Sequence, residues 1–156
     1  MKIASLALGL AVVLGFLVNT PARAAGEPAL MEPVKSVIDN YLNIQTNLAA
    51  DSIKGLSEHA TAISKAVSGD SMKMLPADMA KQADALAQAK DIKAAREAFK
   101  PLSASLVKYL SDHKAGKGTY HEAFCPMANA SWLQVGKDIK NPYYGKEMLD
   151  CGELKS

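Results

Sequence analysis

Hydrophobic residues recur every three or four positions between residues 32 and 113, with polar residues between them. Alanine, leucine, lysine and glutamine dominate this stretch, and all four favour helices. Such spacing is typical of amphipathic helices that bury one face. We predict four helices, at about 33–50, 51–68, 76–89 and 91–113. The first should bury Val34, Val37, Ile38, Tyr41, Ile44 and Leu48.

The predicted helix ends rest on capping residues and prolines. Pro33 suits the first turn of the first helix, and Asp51 or Ser52 would cap the second. Pro101 lies inside the fourth helical pattern. It should kink or split that helix, because its ring displaces the carbonyl one turn back.

Most of the aromatic residues lie after residue 118. Phe124, Trp132, Tyr143 and Tyr144 carry apolar surface that must be buried against the helices. Four amphipathic helices with short connections predict an antiparallel bundle. The predicted fold class is therefore all-α: an antiparallel four-helix bundle with an irregular C-terminal segment, residues 120–153, packed on it.

The first 24 residues predict a signal peptide. A short apolar run follows Lys2, and Ala22-Arg23-Ala24 fits a cleavage site near Ala24. Residues 25–156 then form one exported domain, with the periplasm as its expected location. No other apolar stretch is long enough to span a membrane.

The charge balance limits the expected partners. Of the 18 Lys and Arg residues, Lys2 and Arg23 fall in the predicted signal peptide, which leaves as many basic residues as the 16 Asp and Glu. A neutral surface argues against nucleic acid as a partner, because that interaction needs a basic footprint. It also gives no reason to expect binding to anionic lipid.

Both cysteines lie in the C-terminal segment, and each has a methionine nearby. Pro126 favours an extended backbone at Cys125, so Cys125 and Met127 would point to the same side. In a short helix capped by Asn141, with Pro142 first and Gly152 at its end, Met148 and Cys151 would share a face. Thiolates and thioethers are ligands that suit Cu(I).

A disulfide is the alternative, because two cysteines in an oxidising compartment often pair. It would close a loop of about 27 residues and contribute about 3 kcal/mol by the loop-entropy relation. Met127 and Met148 would then fill gaps in the packing. Zinc would use Cys125, Cys151 and His121, but methionine is a poor zinc ligand, so the methionines favour copper.

Other residues are weaker candidates. His121 lies four positions before Cys125 and is a possible further ligand. His59 could reach a site where the C-terminal segment packs on the helices. A second methionine group could serve as a transient foothold for Cu(I) or pack at a helix edge; it comprises Met72, Met74 and Met79.

No catalytic motif accompanies these residues. The chain lacks a Gly-rich phosphate loop, Gly-x-Ser-x-Gly, His-Glu-x-x-His and Cys-x-x-Cys. It offers no positioned pair of base and nucleophile. We therefore expect a protein that is not an enzyme.

The C-terminal segment resembles a known family. The resemblance rests on Phe124-Cys125-Pro126-Met127-Ala128, Trp132-Leu133, Asn141-Pro142-Tyr143-Tyr144-Gly145, Met148 and Cys151-Gly152-Glu153. Asp51 and the Arg-x-x-Phe-x-x-Leu-Ser stretch at 96–103 are compatible with it. The family comprises bacterial exported domains of unassigned function, found alone and at the C-terminal end of some periplasmic adaptors of copper/silver efflux pumps.

The resemblance implies a periplasmic domain that handles heavy metals. Cys125, Met127, Met148 and Cys151 match positions of the family motif, whereas His121 does not. The sequence thus predicts a copper-binding protein that sequesters Cu(I) or passes it to an efflux adaptor or another carrier. The alternative is a module stapled by a Cys125–Cys151 disulfide, which docks a periplasmic partner through the surface around Trp132 and Tyr143.

Overall fold

A computed structural model describes residues 30–155, and the predicted signal peptide lies outside them. Within residues 30–155, four helices precede the strands, and each packs on the next; they are α1 (Val34–Ala49), α2 (Leu56–Ser68), α3 (Asp78–Ala87) and α4 (Ile92–His113). Among these described residues, no helix combines the length and the apolar character that a membrane crossing requires.

Three antiparallel strands follow the helices: β1 (Tyr120–Cys125), β2 (Ala130–Val135) and β3 (Glu153–Leu154). The sheet order is β2-β1-β3. Between β2 and β3 the chain forms a loop with one 3₁₀ turn, Gly145–Glu147. The predicted all-α class is therefore wrong, because the protein is a mixed α/β protein.

A hairpin replaces the irregular segment that was expected after residue 120. Asn129 adopts a left-handed φ of 45°, and its N–H donates to the Pro126 carbonyl at 3.2 Å. This turn joins β1 to β2. The alternation of strand residues is hard to see in the sequence, because Trp132, Leu133 and Gln134 are all buried. Helices α4 and α1 both contact β2, and the loop after β2 encloses Gln134 through hydrogen bonds with residues 136–140.

Aromatic contacts join the helices to the sheet. The Tyr41 and Phe99 rings stack at 5.0 Å, and Phe99 lies 6.0 Å from Tyr143. Tyr143 in turn meets the edge of Trp132 at 5.9 Å. The predicted burial of Trp132 and Tyr143 is confirmed.

The helix ends agree with the predictions in part. The six residues predicted to form the inner stripe of α1 are all buried. The Asp91 carboxylate caps α4 by accepting from the Ala94 N–H at 2.8 Å. Helix α4 continues through the exposed Pro101, so the predicted split is wrong. Helix α2 begins at Leu56 rather than near Asp51, because the intervening residues form a turn in which Asp51 has a φ of 58°.

Candidate functional site

The two cysteines lie side by side where the ends of the sheet segment meet. Cys125 is the last residue of β1, and Cys151 lies just before β3. Because Glu153 pairs with Phe124 across the sheet, the register carries Cys151 close to Cys125. The two sulfur atoms are 3.2 Å apart, and both are free thiols. Cys125 is fully buried, whereas Cys151 is partly exposed.

The buried side chain of Asn141 holds this arrangement. Its Nδ2 donates to the Cys151 carbonyl at 2.6 Å. Its Oδ1 accepts from the N–H groups of Tyr143 at 2.8 Å and Tyr144 at 3.2 Å. Its own N–H donates to the Leu149 carbonyl at 2.9 Å. Asn141 thus connects residues 149–151 to the turn that begins at residue 141.

The short helix predicted from Pro142 to Gly152 does not form. Asn141 does cap the turn, as predicted. Gly145, however, has a φ of 58°, a left-handed conformation that prevents an α-helix from continuing through it. Only a 3₁₀ turn remains. Met148 and Cys151 therefore do not share a helix face.

Gly152 has a different role from the predicted helix end. Its φ is 150°, and a Cβ there would lie 2.7 Å from Cη2 of Trp132 and 3.1 Å from the Phe124 carbonyl oxygen. Only glycine therefore lets the chain pass this close to β1 directly after Cys151.

The two thiols differ in acidity. Burial raises the pKa of Cys125, but hydrogen bonds from the Ala128 N–H at 3.4 Å, the Cys151 thiol and the Asn141 amide outweigh burial, so the pKa is lowered. The hydrogen bond to Cys125, together with burial, raises the pKa of Cys151. The two thiols therefore titrate as a coupled pair in which Cys125 is the more acidic.

The methionines of the motif differ in exposure. Met127 lies in the β1–β2 turn and is 64% exposed. Met148 follows the 3₁₀ turn and is partly buried. Met127 is thus accessible beside the buried Cys125, from which it is two residues away.

His121 is separated from the cysteine pair by the strand. It lies four residues before Cys125 in β1, and four residues of extended chain span about 13 Å. His121 is therefore too far away to share an ion with the pair. Within residues 30–155, no three side chains of His, Cys, Asp or Glu cluster closely enough to hold a metal ion.

The remaining candidates lie in the helical region, away from the cysteine pair. His59 Nδ1 lies 2.9 Å from the Asn40 Oδ1, between α2 and α1. Met79 is fully buried in the core, whereas Met72 is exposed and Met74 partly buried. The three methionines therefore do not share one surface.

Arg96 was missed as a residue that positions the site. Its Nη2 donates to the Asp51 Oδ1 at 2.6 Å, and its Nε donates to the Pro142 carbonyl at 2.9 Å. Asp51 also accepts from the N–H of Lys146 at 3.2 Å. The hydrogen bond from Arg96 lowers the pKa of Asp51. A Cβ at Gly145 would collide with the carboxylate of Asp51 and with the guanidinium.

A buried chain of hydroxyl groups makes a second connection between the helices and β2. The Leu133 N–H donates to the Tyr41 hydroxyl at 3.0 Å, and Tyr41 lies 2.6 Å from the Ser103 hydroxyl. Ser103 donates to the Ser131 carbonyl at 2.8 Å, so the Tyr41 hydroxyl donates to Ser103. One signal in the sequence could have revealed that Arg96 and Ser103 hold the C-terminal region. Both are polar residues on the helix face that contains Phe99, and that face is otherwise apolar.

These contacts define a mixed α/β protein in which four helices hold a small sheet and a pair of adjacent thiols. Residues 37–118 match the family described as a protein of unknown function (DUF3347). The match covers more than half of the chain, so the chain belongs to this family. No curated protein and no solved structure matches the chain.

The family match covers the helices and ends before β1. Membership of a family of unassigned function is therefore confirmed on the helical residues, whereas the resemblance of the C-terminal motif to domains of efflux adaptors stays a prediction. The matched segment contains Asp51, Arg96, Phe99 and Ser103, and all four contact residues after 130. The matched helices of this chain thus include the surface on which the C-terminal segment packs.

Proposed function

We propose that this protein binds Cu(I) through the thiols of Cys125 and Cys151, and holds the ion for sequestration or for transfer to another carrier. The observation that carries this proposal is the 3.2 Å separation of the two sulfur atoms. Thiolates are soft ligands that select Cu(I). The role involves ligand exchange and no catalytic turnover.

The sulfur separation lies between those of the two possible products. Sulfur atoms in a disulfide are about 2.05 Å apart, whereas two thiolates on one tetrahedral zinc ion, at about 2.3 Å each, are about 3.8 Å apart. Binding of an ion between the thiols would therefore require them to move apart. Cys125 is fixed in β1, but Cys151 belongs to a loop and is partly exposed, so Cys151 is the residue that moves.

The acidity of the pair favours capture of a soft cation. Cys125 has the lower pKa and supplies the first thiolate. Cys151 loses its proton to solvent as the second sulfur–metal bond forms. The affinity for Cu(I) should therefore increase with pH, because both thiols must be deprotonated when the ion is bound.

Met127 provides a route for transfer. Its thioether is exposed in the turn directly after Cys125, and a thioether cannot be consumed by disulfide formation. We assign Met127 the role of an exchangeable ligand that receives the ion or passes it on. Met148, partly buried three residues before Cys151, is the second exchangeable thioether in this proposal.

The expected location and partners complete the proposal. The predicted signal peptide places the protein in the periplasm. The resemblance to domains of copper/silver efflux adaptors suggests such an adaptor, or another periplasmic copper carrier, as the recipient of the ion.

The test is a titration of reduced protein, residues 25–156, with Cu(I) against a competing chelator. We expect one ion per chain and a loss of binding of at least 100-fold in the Cys125→Ser/Cys151→Ser variant. Met72→Leu is a matched control, since Met72 is an exposed thioether in the α2–α3 connection. Equal affinity of the wild type and the double serine variant would refute the proposal.

The second candidate is a module stapled by a disulfide that docks a partner without metal. It is favoured by the same sulfur separation, since a small movement of Cys151 would allow the bond to form under an oxidant. Mass spectrometry of protein isolated from the periplasm distinguishes the two. A complete Cys125–Cys151 disulfide that copper leaves unchanged under mild reductant would support the stapled module and count against copper binding.

A further inference from the structure

A groove beside the C-terminal half of α1 remains without an assigned role. It has a volume of about 410 Å³ and lies between the C-terminal half of α1 and the residues that follow β2. Pockets of 300–1,000 Å³ are typical of small-molecule sites. Its walls include Leu42, Ala49, Val135 and Leu149, with Lys140 and Lys146 at the rim.

The walls of the groove are mainly apolar. Leu42 and Ala49 come from α1, whereas Leu149 comes from the loop before Cys151. Val135 at the end of β2 is 64% exposed, although it is a large aliphatic residue. An apolar ligand would therefore remove hydrophobic surface from water on both sides of the groove.

Both charged residues that line the groove, Lys140 and Lys146, are cationic, and its other polar residues, Gln45, Thr46 and Gln134, are neutral. The Gln45 side chain donates to the Lys140 carbonyl at 2.7 Å, which places Lys140 beside the middle of α1. The N–H of Lys146 donates to Asp51, which places Lys146 at the C-terminal end of α1. Over the part of the chain that the structure describes, neither lysine ammonium lies in a salt bridge. No acidic residue lines the groove.

The end of α1 would by itself repel an anion, because a helix C-terminus carries partial negative charge. That effect is reduced here, since the Leu48 carbonyl accepts from Arg96 Nη2 at 3.1 Å. The last turn of α1 has no basic residue of its own. Lys146 from the loop supplies positive charge at this position.

We propose that this groove binds a small amphipathic carboxylic acid, with an apolar body between α1 and Val135 and its carboxylate at Lys140 and Lys146. An uncharged hydrocarbon would leave the ammonium groups unused, and an amphipathic cation would be repelled by them. Neither cysteine lines the groove. The inference is therefore independent of copper binding.

The test uses decanoate as the probe, added to reduced, metal-free protein (residues 25–156) below its micelle concentration. Calorimetry should show saturable binding of one decanoate per chain. Each methylene removed from the probe should weaken binding about fourfold, in line with about 0.8 kcal/mol per buried methylene. Equal binding of decyltrimethylammonium, or no saturable binding of decanoate, would overturn the proposal.

Variants test whether the probe occupies this groove. Lys140→Met should weaken decanoate binding about threefold, as expected for one partly exposed ion pair, and Val135→Glu should weaken it more than tenfold. Met72→Glu places the same charge at another exposed hydrophobic residue and should leave binding unchanged. A loss in Met72→Glu equal to that in Val135→Glu would contradict the assignment. If Val135→Glu does not fold, the Lys140→Met/Lys146→Met variant replaces it as the test. Wild-type binding of decanoate by this double variant would contradict the assignment.

Discussion

The helical region and the C-terminal region are held together by different kinds of interaction. In helices α1–α4, the core consists of apolar stripes that meet face to face. The main chain after residue 118 is held by side-chain amides and hydroxyl groups, which come from the helices as well as from the C-terminal region itself. The first kind of order can be read from the spacing of residues along the chain. The second depends on contacts between residues far apart in sequence.

Gln134 illustrates the C-terminal kind of order. Its side chain is almost fully buried and makes four hydrogen bonds. The Oε1 accepts from Trp132 Nε1 at 3.0 Å and from the Lys140 N–H at 3.1 Å. The Nε2 donates to the carbonyls of Gly136 at 3.1 Å and Asp138 at 2.8 Å. A buried amide that is satisfied in this way fixes a loop, and removing it leaves several buried groups without partners.

The largest effect should come from Phe99, the residue at which the two regions meet. Phe99→Ala removes a fully buried ring that contacts both Tyr41 and Tyr143. We expect a loss of about 3–5 kcal/mol in the free energy of unfolding. In the wild type, far-UV circular dichroism and Trp132 fluorescence should report one common transition in urea. Separate transitions in the wild type would show that the two regions are not coupled. The exposed Met72→Ala is the control and should change stability by less than about 0.5 kcal/mol.

Asn141→Ala should loosen the C-terminal region more than the helices. It leaves the Cys151 carbonyl and the N–H of Tyr143 without their partner, which we expect to cost about 2–3 kcal/mol. The pKa of Cys125 should rise, because a hydrogen bond to its thiolate is lost. The rate of alkylation against pH measures this pKa. Asn43→Ala, which removes an exposed hydrogen bond within α1, is the control, and equal behaviour of the two variants would contradict the role of Asn141.

Two glycines sharpen the comparison further. Gly145 and Gly118 both have positive φ angles, but only at Gly145 would a Cβ collide with other residues, Asp51 and Arg96. Gly118→Ala should therefore cost only the backbone strain of about 1 kcal/mol. Gly145→Ala should cost about 1–2 kcal/mol more, because the Asp51–Arg96 contact must move. Urea unfolding of both variants measures the difference, and equal losses would show that the contact does not hold the loop.

The helices could be predicted because their signals are local. The burial of the α1 stripe and the Asp91 cap follow from residues three or four positions apart. The start of α2 could not be predicted in this way. Asp51 is a good capping residue in sequence, but its carboxylate binds Arg96 and the N–H of Lys146 instead.

The hairpin and the cysteine pair show the limits of the same approach. Extended structure at Cys125 was predicted from Pro126 and is confirmed. The pairing of β1 with β3, however, joins residues about 30 positions apart, and no local pattern encodes it. The exclusion of His121 follows only once the strand is known, since residues four apart are neighbours in a helix but lie about 13 Å apart in a strand.

The smallest expected effect concerns the pH dependence of the contact between Asp51 and Arg96. The hydrogen bond from Arg96 lowers the pKa of Asp51 in the folded protein below its unfolded value of about 3.9. The resulting stabilisation is present above that value and is lost as the pH falls through the folded-state pKa. Because the Asp51 side chain is 38% exposed, solvent screens the pair and the effect should be small. Melting temperatures followed by Trp132 fluorescence should therefore fall less between pH 6 and about pH 2 in Asp51→Asn than in the wild type. Asp112→Asn, which removes an exposed ion pair on α4, is the control and should show the same fall in melting temperature as the wild type. If the fall is equally reduced in both variants, the acid response comes from general surface charge and not from the contact that joins the two regions.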